Sequence, residues 1–192
     1  MRASPERSVP WLVTSLACLA LSRPLPAAQF EGVTLPETMS VGGRDLKLNG
    51  TALLKKLVFR VYVVALYLPV PAHEAGAVVN PDVPKALTLH FLRSVSRDQL
   101  VTPLRGDFAR NAGEAGKRAR REIAKLLSVI KDLKKGDRMT FTYEPGRGSK
   151  ITMTDGTTAT FEGKDFADSF LLVYLGPSPP KEEMKRRLLG RN

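Results

Sequence analysis

The chain has 192 residues, of which 43% are hydrophobic and 26% are charged, and this composition fits one folded globular domain. Lys and Arg number 30 against 19 Asp and Glu, so the formal net charge is +11 and the surface is basic. Cys18 is the only cysteine and His73 and His90 are the only histidines, which excludes a disulfide framework and argues against zinc sites and Cys–His catalysis. We therefore expect no metal and no cofactor.

The N-terminus has the layout of a secretory signal peptide. Arg2 and Arg7 precede an apolar run, residues 9–21, and small residues follow at Ala27 and Ala28. The run is too short to span a bilayer. This pattern predicts a signal peptide over residues 1–28, a single domain over residues 29–192, and a periplasmic or secreted location. The alternative is a disordered, mildly apolar N-terminus.

The positive charge is concentrated in two stretches, residues 105–138 and 181–192. The run Lys117-Arg118-Ala119-Arg120-Arg121 could contact phosphates of a nucleic acid or of a membrane surface. No aromatic residues interleave with these charges and no nucleic-acid-binding motif is visible, so we do not expect nucleic-acid binding. Peripheral contact with an anionic membrane surface stays open as an alternative to a simply solvated helix face.

The first half of the domain reads mainly as strands. Residues 39–48 indicate a hairpin with its turn at Gly42-Gly43, and Asn49-Gly50 indicates a second turn. Residues 57–68 are β-branched, aromatic and almost continuously apolar, which predicts one long central strand covered on both faces. A loop over residues 69–84 and a strand over residues 86–92 follow.

Helices come next. Ser96 and Gln99 form a capping-box pattern that opens a helix running to Asn111. Apolar residues at three- and four-residue intervals predict a second helix over residues 115–130.

The remainder returns to strands and then to helices. Three strands are predicted at residues 139–143, 149–154 and 157–161, with a hairpin turn at Asp155-Gly156. Helical patterns cover residues 164–175 and 181–189. Clustered strands with helices in blocks indicate an α+β fold, in which the helices pack on one face of an antiparallel sheet.

The order of these segments resembles the chalcone isomerase-like superfamily, particularly its bacterial exported members, over almost all of residues 30–190. The matching motifs are short but keep the family's order: Asn49-Gly50, residues 59–68, Leu89-His90-Phe91-Leu92-Arg93, Gly136-Asp137, Tyr143-Glu144-Pro145-Gly146, residues 161–167, residues 173–177 and Leu188-Leu189-Gly190. The resemblance implies an open-faced β-sandwich, a large antiparallel sheet whose helix-covered side holds a cleft for a flat or extended apolar ligand.

The resemblance also implies which positions matter in that cleft. Family members carry an Arg just after the Gly-containing turn, and here Leu54 stands where that Arg is expected. Tyr62 falls where the fatty-acid-binding members have a Tyr and the isomerases a Thr. The Tyr, Lys and Asn that the plant enzymes carry on the helical side have no secure counterparts in residues 109–121.

Strand alternation places Leu54, Arg60 and Tyr62 on one face, so Arg60 is a candidate substitute for the missing cation. We expect Tyr62, Arg60 and Leu54 to contact a ligand and no residue to be catalytic. The leading hypothesis is an exported, non-catalytic binding protein for a small apolar ligand such as a fatty acid. The alternatives are an intramolecular lyase of chalcone-isomerase type and a structural partner protein at an anionic membrane or protein surface.

Overall fold

The computed structural model describes residues 27–191. The predicted signal peptide therefore lies outside the described residues except for Ala27 and Ala28, which begin the first strand. Strands β1 (Ala27–Phe30) and β2 (Val33–Pro36) form a separate antiparallel hairpin, and Glu31 and Gly32 close it with positive φ angles. In the described part of the chain, no helix is long and apolar enough to cross a membrane.

The main architecture is a seven-stranded antiparallel sheet in which each strand pairs with the next one along the chain. The predicted turns at Gly42-Gly43 and Asp155-Gly156 are confirmed, and all three glycines have the positive φ that such turns favour. The strands are β3 (Thr38–Val41), β4 (Arg44–Lys56), β5 (Phe59–Leu68), β6 (Lys85–Phe91), β7 (Arg138–Glu144), β8 (Gly148–Met153) and β9 (Thr158–Phe161).

The hairpin of β4 and β5 differs from the predicted layout in two ways. Asn49-Gly50 does not form a turn but lies within β4, where the pairing register with β5 shifts. The predicted single strand over residues 57–68 is wrong at its start, because Leu57 and Val58 form the tight turn between β4 and β5. A hydrophobic run without Gly, Asn or Asp carries no local turn signal, so the pattern could not show this reversal.

The described residues also form six helices, numbered in chain order. They are α1 (Ala75–Val79), α2 (Arg97–Asn111), α3 (Gly113–Arg118), α4 (Arg120–Val129), α5 (Lys164–Leu175) and α6 (Glu182–Leu188). The capping box of Ser96 and Gln99 at the start of α2 is confirmed. The predicted loop over residues 69–84 contains α1. The helix expected over residues 115–130 is divided into α3 and α4 at Ala119.

The sheet is covered on both faces. Helix α5 packs on one face, where its Phe166 and Phe170 stack on Phe161 and Phe141 with ring centroids 4.3 and 4.4 Å apart. This helix face holds the larger core, and the hairpin of β1 and β2 covers a smaller core on the opposite face. The α+β prediction, an antiparallel sheet with helices on one face, is confirmed.

Candidate functional site

Tyr62 lies on the helix face of β5, in the packed interior. It is only 5% exposed, and its ring meets Phe91 of β6 edge-on with centroids 5.6 Å apart. Its hydroxyl lies close enough to that of Tyr174 from α5 for each to shift the pKa of the other. Two phenols from distant parts of the chain therefore meet between the sheet and the helix layer.

Both phenols stay protonated at neutral pH. Burial is the main cause that raises the pKa of Tyr62 and of Tyr174. The neighbouring Tyr174 hydroxyl lowers the pKa of Tyr62, and the neighbouring Tyr62 hydroxyl raises that of Tyr174. The nearby carboxylate of Asp107 adds to the increase for both. The pair can supply a neutral hydroxyl but not a phenolate base.

Helix α2 brings a buried carboxylate toward this pair. Asp107 is 8% exposed, and burial raises its pKa although the guanidinium of Arg110, to which it is hydrogen-bonded, acts against this. The neighbouring Asn111 is buried and structural: its amide donates to the carbonyl oxygens of Asp107 and Ser178 and accepts from the Ser178 amide. Asn111 therefore ties the end of α2 to the loop after α5.

The Arg60 side chain does not lie on the same face of β5 as that of Tyr62. The register between β4 and β5 shifts next to this pair, since Leu54 opposes Tyr62 and Lys55 opposes Arg60, which leaves Val61 as an extra residue. Val61 packs against the helix-face core, while the Arg60 guanidinium bonds to the Glu31 carboxylate at 2.9 Å in the β1–β2 hairpin. The predicted alternation, which placed both residues on one face, is therefore wrong.

Leu54 remains beside Tyr62. Its Cα is the direct cross-strand partner of the Tyr62 Cα, and its half-buried side chain packs against the helix-face core. At this position the interior receives an isobutyl group and no positive charge.

An open hollow lies beside this region, between the β4–β5 turn and the start of α2. Its volume is about 240 Å³. The apolar part of its lining comes from Leu57, Phe59, Val61 and Val95, and the polar part from Lys56, Arg93 and Gln99. We call this space the tip hollow.

Two cations of the tip hollow are free of acidic partners. Neither Lys56 nor Arg93 forms a salt bridge with any residue in the range 27–191, and no acidic residue lines the hollow. The Arg93 guanidinium lies 4.9 Å from the centroid of the Phe59 ring, a cation–π contact that holds it at the apolar wall. The tip hollow thus combines an apolar lining with unpaired positive charge.

A second hollow, of about 400 Å³, lies at the edge of β4 beside α6. Its lining includes the cations Lys55, Lys181 and Arg187 but also the carboxylates of Glu31 and Glu183. These acids disfavour an anionic ligand, so the tip hollow is the better site for a carboxylate.

A buried cation, Lys85, lies in a different part of the sheet. Its ammonium is fully buried and donates to the carbonyl oxygens of Val79 at 2.9 Å and of Pro81 at 2.7 Å. Burial, and then the nearby charge of Lys164, lowers the pKa of Lys85 to about 8. Since both hydrogen bonds go to main-chain oxygens of the α1 region, we assign this lysine a structural role.

Sequence reasoning identified Tyr62 but missed its surroundings. Tyr174 fell within the predicted helix over residues 164–175 and within the family motif of residues 173–177, but nothing in the sequence joined it to Tyr62. Lys56 and Arg93 were not assigned to a common site, because the turn at Leu57 was not predicted. Among residues 27–191, no group of three or more His, Cys, Asp or Glu side chains is arranged to hold a metal ion.

Comparisons with known proteins agree with this architecture. A crystal structure of a fatty-acid binding protein from Arabidopsis thaliana superposes with a TM-score of 0.62, covering 85% of this chain and 96% of that one at 13% identity. At this identity the likeness concerns the fold alone. The comparison with curated protein sequences found no match.

The family comparison covers nearly the whole described chain. The model of the family described as chalcone isomerase-like matches residues 27–190. The match includes the β1–β2 hairpin, all seven strands of the large sheet and the helix layer. The chain belongs to the chalcone isomerase-like family.

Proposed function

We propose that this protein binds a small amphiphile, an apolar chain that ends in a carboxylate such as a fatty acid, and does not convert it. The observation that carries the proposal is the tip hollow, whose apolar walls adjoin the unpaired cations Lys56 and Arg93. The similar fold of a protein named for fatty-acid binding supports the same ligand class.

The size of the tip hollow limits the ligand. Its volume of about 240 Å³ lies just below the range of about 300–1,000 Å³ that is usual for drug-sized ligands. It therefore suits a short acyl chain, or the carboxylate end of a longer one. Tyr62 and Leu54 remain proposed contacts for a chain that enters deeper on the helix face. Arg60 is the weakest of the three predicted contacts, because Glu31 already binds its guanidinium.

Two considerations argue against turnover. Leu54 stands where the family resemblance implies an Arg, so a cation that would stabilise developing negative charge is absent from that position. The Tyr62 and Tyr174 hydroxyls lie next to each other, and burial raises the pKa of both. We expect no flavanone to form when a chalcone is mixed with the purified protein, and rapid ring closure would contradict a pure binding role.

Ligand binding is tested by calorimetric titration with dodecanoate. We expect Arg93→Gln and Lys56→Gln each to weaken binding by about tenfold, because each removes one charge-assisted contact to the carboxylate. Lys150→Gln is the matched control, since Lys150 is an exposed cation on β8 far along the sheet, and it should change binding by less than about twofold. If Arg93→Gln and Lys56→Gln bound dodecanoate as tightly as the control Lys150→Gln, the tip hollow would be excluded as the binding site.

Two further variants test Tyr62 and Arg60, which the sequence predicted as ligand contacts. Tyr62→Phe should reduce affinity only if the ligand reaches the interior pair, and Arg60→Gln should leave it unchanged. Native mass spectrometry of the gently purified protein should also show a co-purified fatty acid.

Export is part of the same proposal. The signal-peptide pattern of residues 1–28 supports a periplasmic or secreted protein, and its removal would leave a mature chain without cysteine. Mass measurement of the protein recovered from its native host should give a chain beginning near residue 28. Recovery of the intact chain from the cytoplasm would contradict export.

A further inference from the structure

The turn between β4 and β5 exposes three consecutive large apolar side chains. Leu57 is 89% exposed, Val58 85% and Phe59 55%. In the described part of the chain only one other large hydrophobic, Val70, is exposed to this degree. We call Leu57, Val58 and Phe59 the hairpin tip. A cluster of this kind on a soluble domain marks an interaction surface.

The backbone adds a second observation. Leu57 adopts a φ of +55°, in the left-handed region where Gly or Asn is favoured and a branched apolar residue is strained. A leucine here helps neither the turn nor the core, because folding leaves it in water. Its presence needs a reason outside the folding of the chain.

Positive charge surrounds the hairpin tip. Lys55 and Lys56 precede it, Arg60 follows it, and Arg93 packs over Phe59. Residues 51–73 contain no Asp or Glu, and of these cations only Arg60 has an acidic partner among the described residues, Glu31. A group of exposed apolar side chains surrounded by cations is complementary to a bilayer with anionic headgroups.

We propose that the hairpin tip docks this protein on an anionic lipid membrane. Leu57 and Val58 insert among the acyl chains, and Lys55, Lys56 and Arg93 lie at the level of the headgroup phosphates. Docking goes beyond the proposed ligand binding and does not depend on it. Because Leu57 and Phe59 also line the tip hollow, a docked protein would present this hollow to the membrane surface.

The basic cluster on α3 and α4 is a weaker membrane site. Arg118 is held by Asp165 and Lys117 by Glu114, so half of the run Lys117, Arg118, Arg120 and Arg121 is already paired. None of the exposed large hydrophobics of the described chain lies on these two helices. Self-association through the hairpin tip is also disfavoured, because it would bring two rings of like charge together.

The test is co-sedimentation with vesicles of phosphatidylcholine, with or without phosphatidylglycerol, using protein expressed from the full chain. We expect binding to the anionic vesicles, and Leu57→Ser with Val58→Ser should weaken it by about tenfold or more because the buried apolar area is lost. The triple variant Lys117→Gln, Arg120→Gln and Arg121→Gln should weaken it by less than about threefold. All variants carry the same N-terminus, so any contribution of residues 1–28 is equal among them.

Other outcomes overturn the proposal. Wild-type protein that fails to bind anionic vesicles, or a double-serine variant with unchanged affinity, excludes docking by the hairpin tip. If the triple variant loses more vesicle binding than the double-serine variant, the membrane contact lies in the basic cluster on α3 and α4. A dimer in sedimentation velocity that the double-serine change abolishes assigns the hairpin tip to a second copy of this chain.

One single variant distinguishes ligand binding from membrane docking. Val58 does not line the tip hollow, so Val58→Ser should reduce vesicle binding and leave dodecanoate affinity unchanged. If dodecanoate binding is absent in every protein while vesicle binding follows the hairpin tip, the docking proposal stands and the ligand proposal fails. A thermal unfolding midpoint within a few degrees of wild type checks that each variant is folded.

Discussion

The two ends of the β4–β5 hairpin carry similar residues in opposite environments. At one end Leu66, Tyr67 and Leu68 are buried, and helix α6 lies against β4. At the other end Leu57, Val58 and Phe59 are exposed. Apolar residues at the buried end stabilise the fold, while those at the hairpin tip contribute little to it. The comparison shows that apolar residues of the same hairpin stabilise the fold at one end and are available for contacts with other molecules at the other end.

The largest effect expected is at Gly50, where α6 approaches β4. A Cβ on this residue would lie 2.2 Å from the Arg187 carbonyl oxygen and 2.6 Å from that of Leu188, both main-chain atoms. Gly50→Ala must therefore displace α6, and we expect it to lower the free energy of unfolding by more than about 3 kcal/mol in urea titration. Gly76→Ala is the control, because its Cβ meets no atom closer than 3.4 Å. A loss below about 1 kcal/mol at Gly50 would show that α6 is not held there.

Truncation of one apolar side chain at each end gives the most direct comparison. Leu66 is fully buried in the helix-face core, so Leu66→Ala should cost about 2–5 kcal/mol of stability. Val58→Ala should change the stability by no more than about 0.5 kcal/mol, because the side chain already lies in water. Urea titration of both variants measures this difference. If Val58→Ala were strongly destabilising, the hairpin tip would be part of the core.

The pH dependence of stability should report Lys85, at the start of β6 near the buried end. Its pKa is lowered to about 8, below the value of an unfolded chain, so above pH 8 the unfolded state holds more protons than the folded state. The contribution of Lys85 to stability should therefore rise by about 2 kcal/mol between pH 8 and pH 10.

Lys85→Met should remove this increase. The tyrosines lower the stability of both proteins as the pH approaches and passes 10, because burial raises the pKa of Tyr62, Tyr67, Tyr143 and Tyr174 and the unfolded state loses protons first. A stability difference between the wild type and Lys85→Met that did not change from pH 8 to pH 10 would contradict the lowered pKa of the buried Lys85. Urea titration at each pH makes the measurement.

A small effect of the opposite sign is expected at Leu57. Asn tolerates the positive φ of this position better than Leu does, so Leu57→Asn should raise stability by about 0.5–1 kcal/mol while weakening vesicle binding. Thermal unfolding and co-sedimentation of the same preparation measure both. A variant that lost stability would mean that the Leu57 side chain makes a contact that stabilises the folded chain.

Much of the architecture followed from the sequence, since it depends on local rules. Gly42-Gly43 and Asp155-Gly156 marked two hairpin turns, the pattern of Ser96 and Gln99 marked the start of α2, and the helical pattern of residues 164–175 marked α5. The resemblance to the chalcone isomerase-like family added the expectation of an open-faced sandwich with a ligand cleft on its helix-covered side. The break between α3 and α4 was missed, because Ala119 is a good helix former with no local stop signal.

The candidate site was harder to predict than the fold. Tyr62 was identified by its position in the family pattern, but its partner Tyr174 comes from a helix far along the chain. Lys56 and Arg93 border one hollow only because the chain reverses at Leu57 and returns in β5. These proximities depend on how strands pair, and no short segment of sequence contains that information.

The sequence by itself determined the class of fold, the main turns and the caps, because backbone φ preferences and hydrophobic periodicity act over a few residues. Tertiary structure alone decided that Arg60 binds Glu31 and not the neighbourhood of Tyr62, and that Leu57 forms a strained, exposed turn. A one-residue bulge at Val61 causes the first, because it reverses which face each side chain takes. The pairing register of β4 with β5 causes the second, since it sets where the chain must turn.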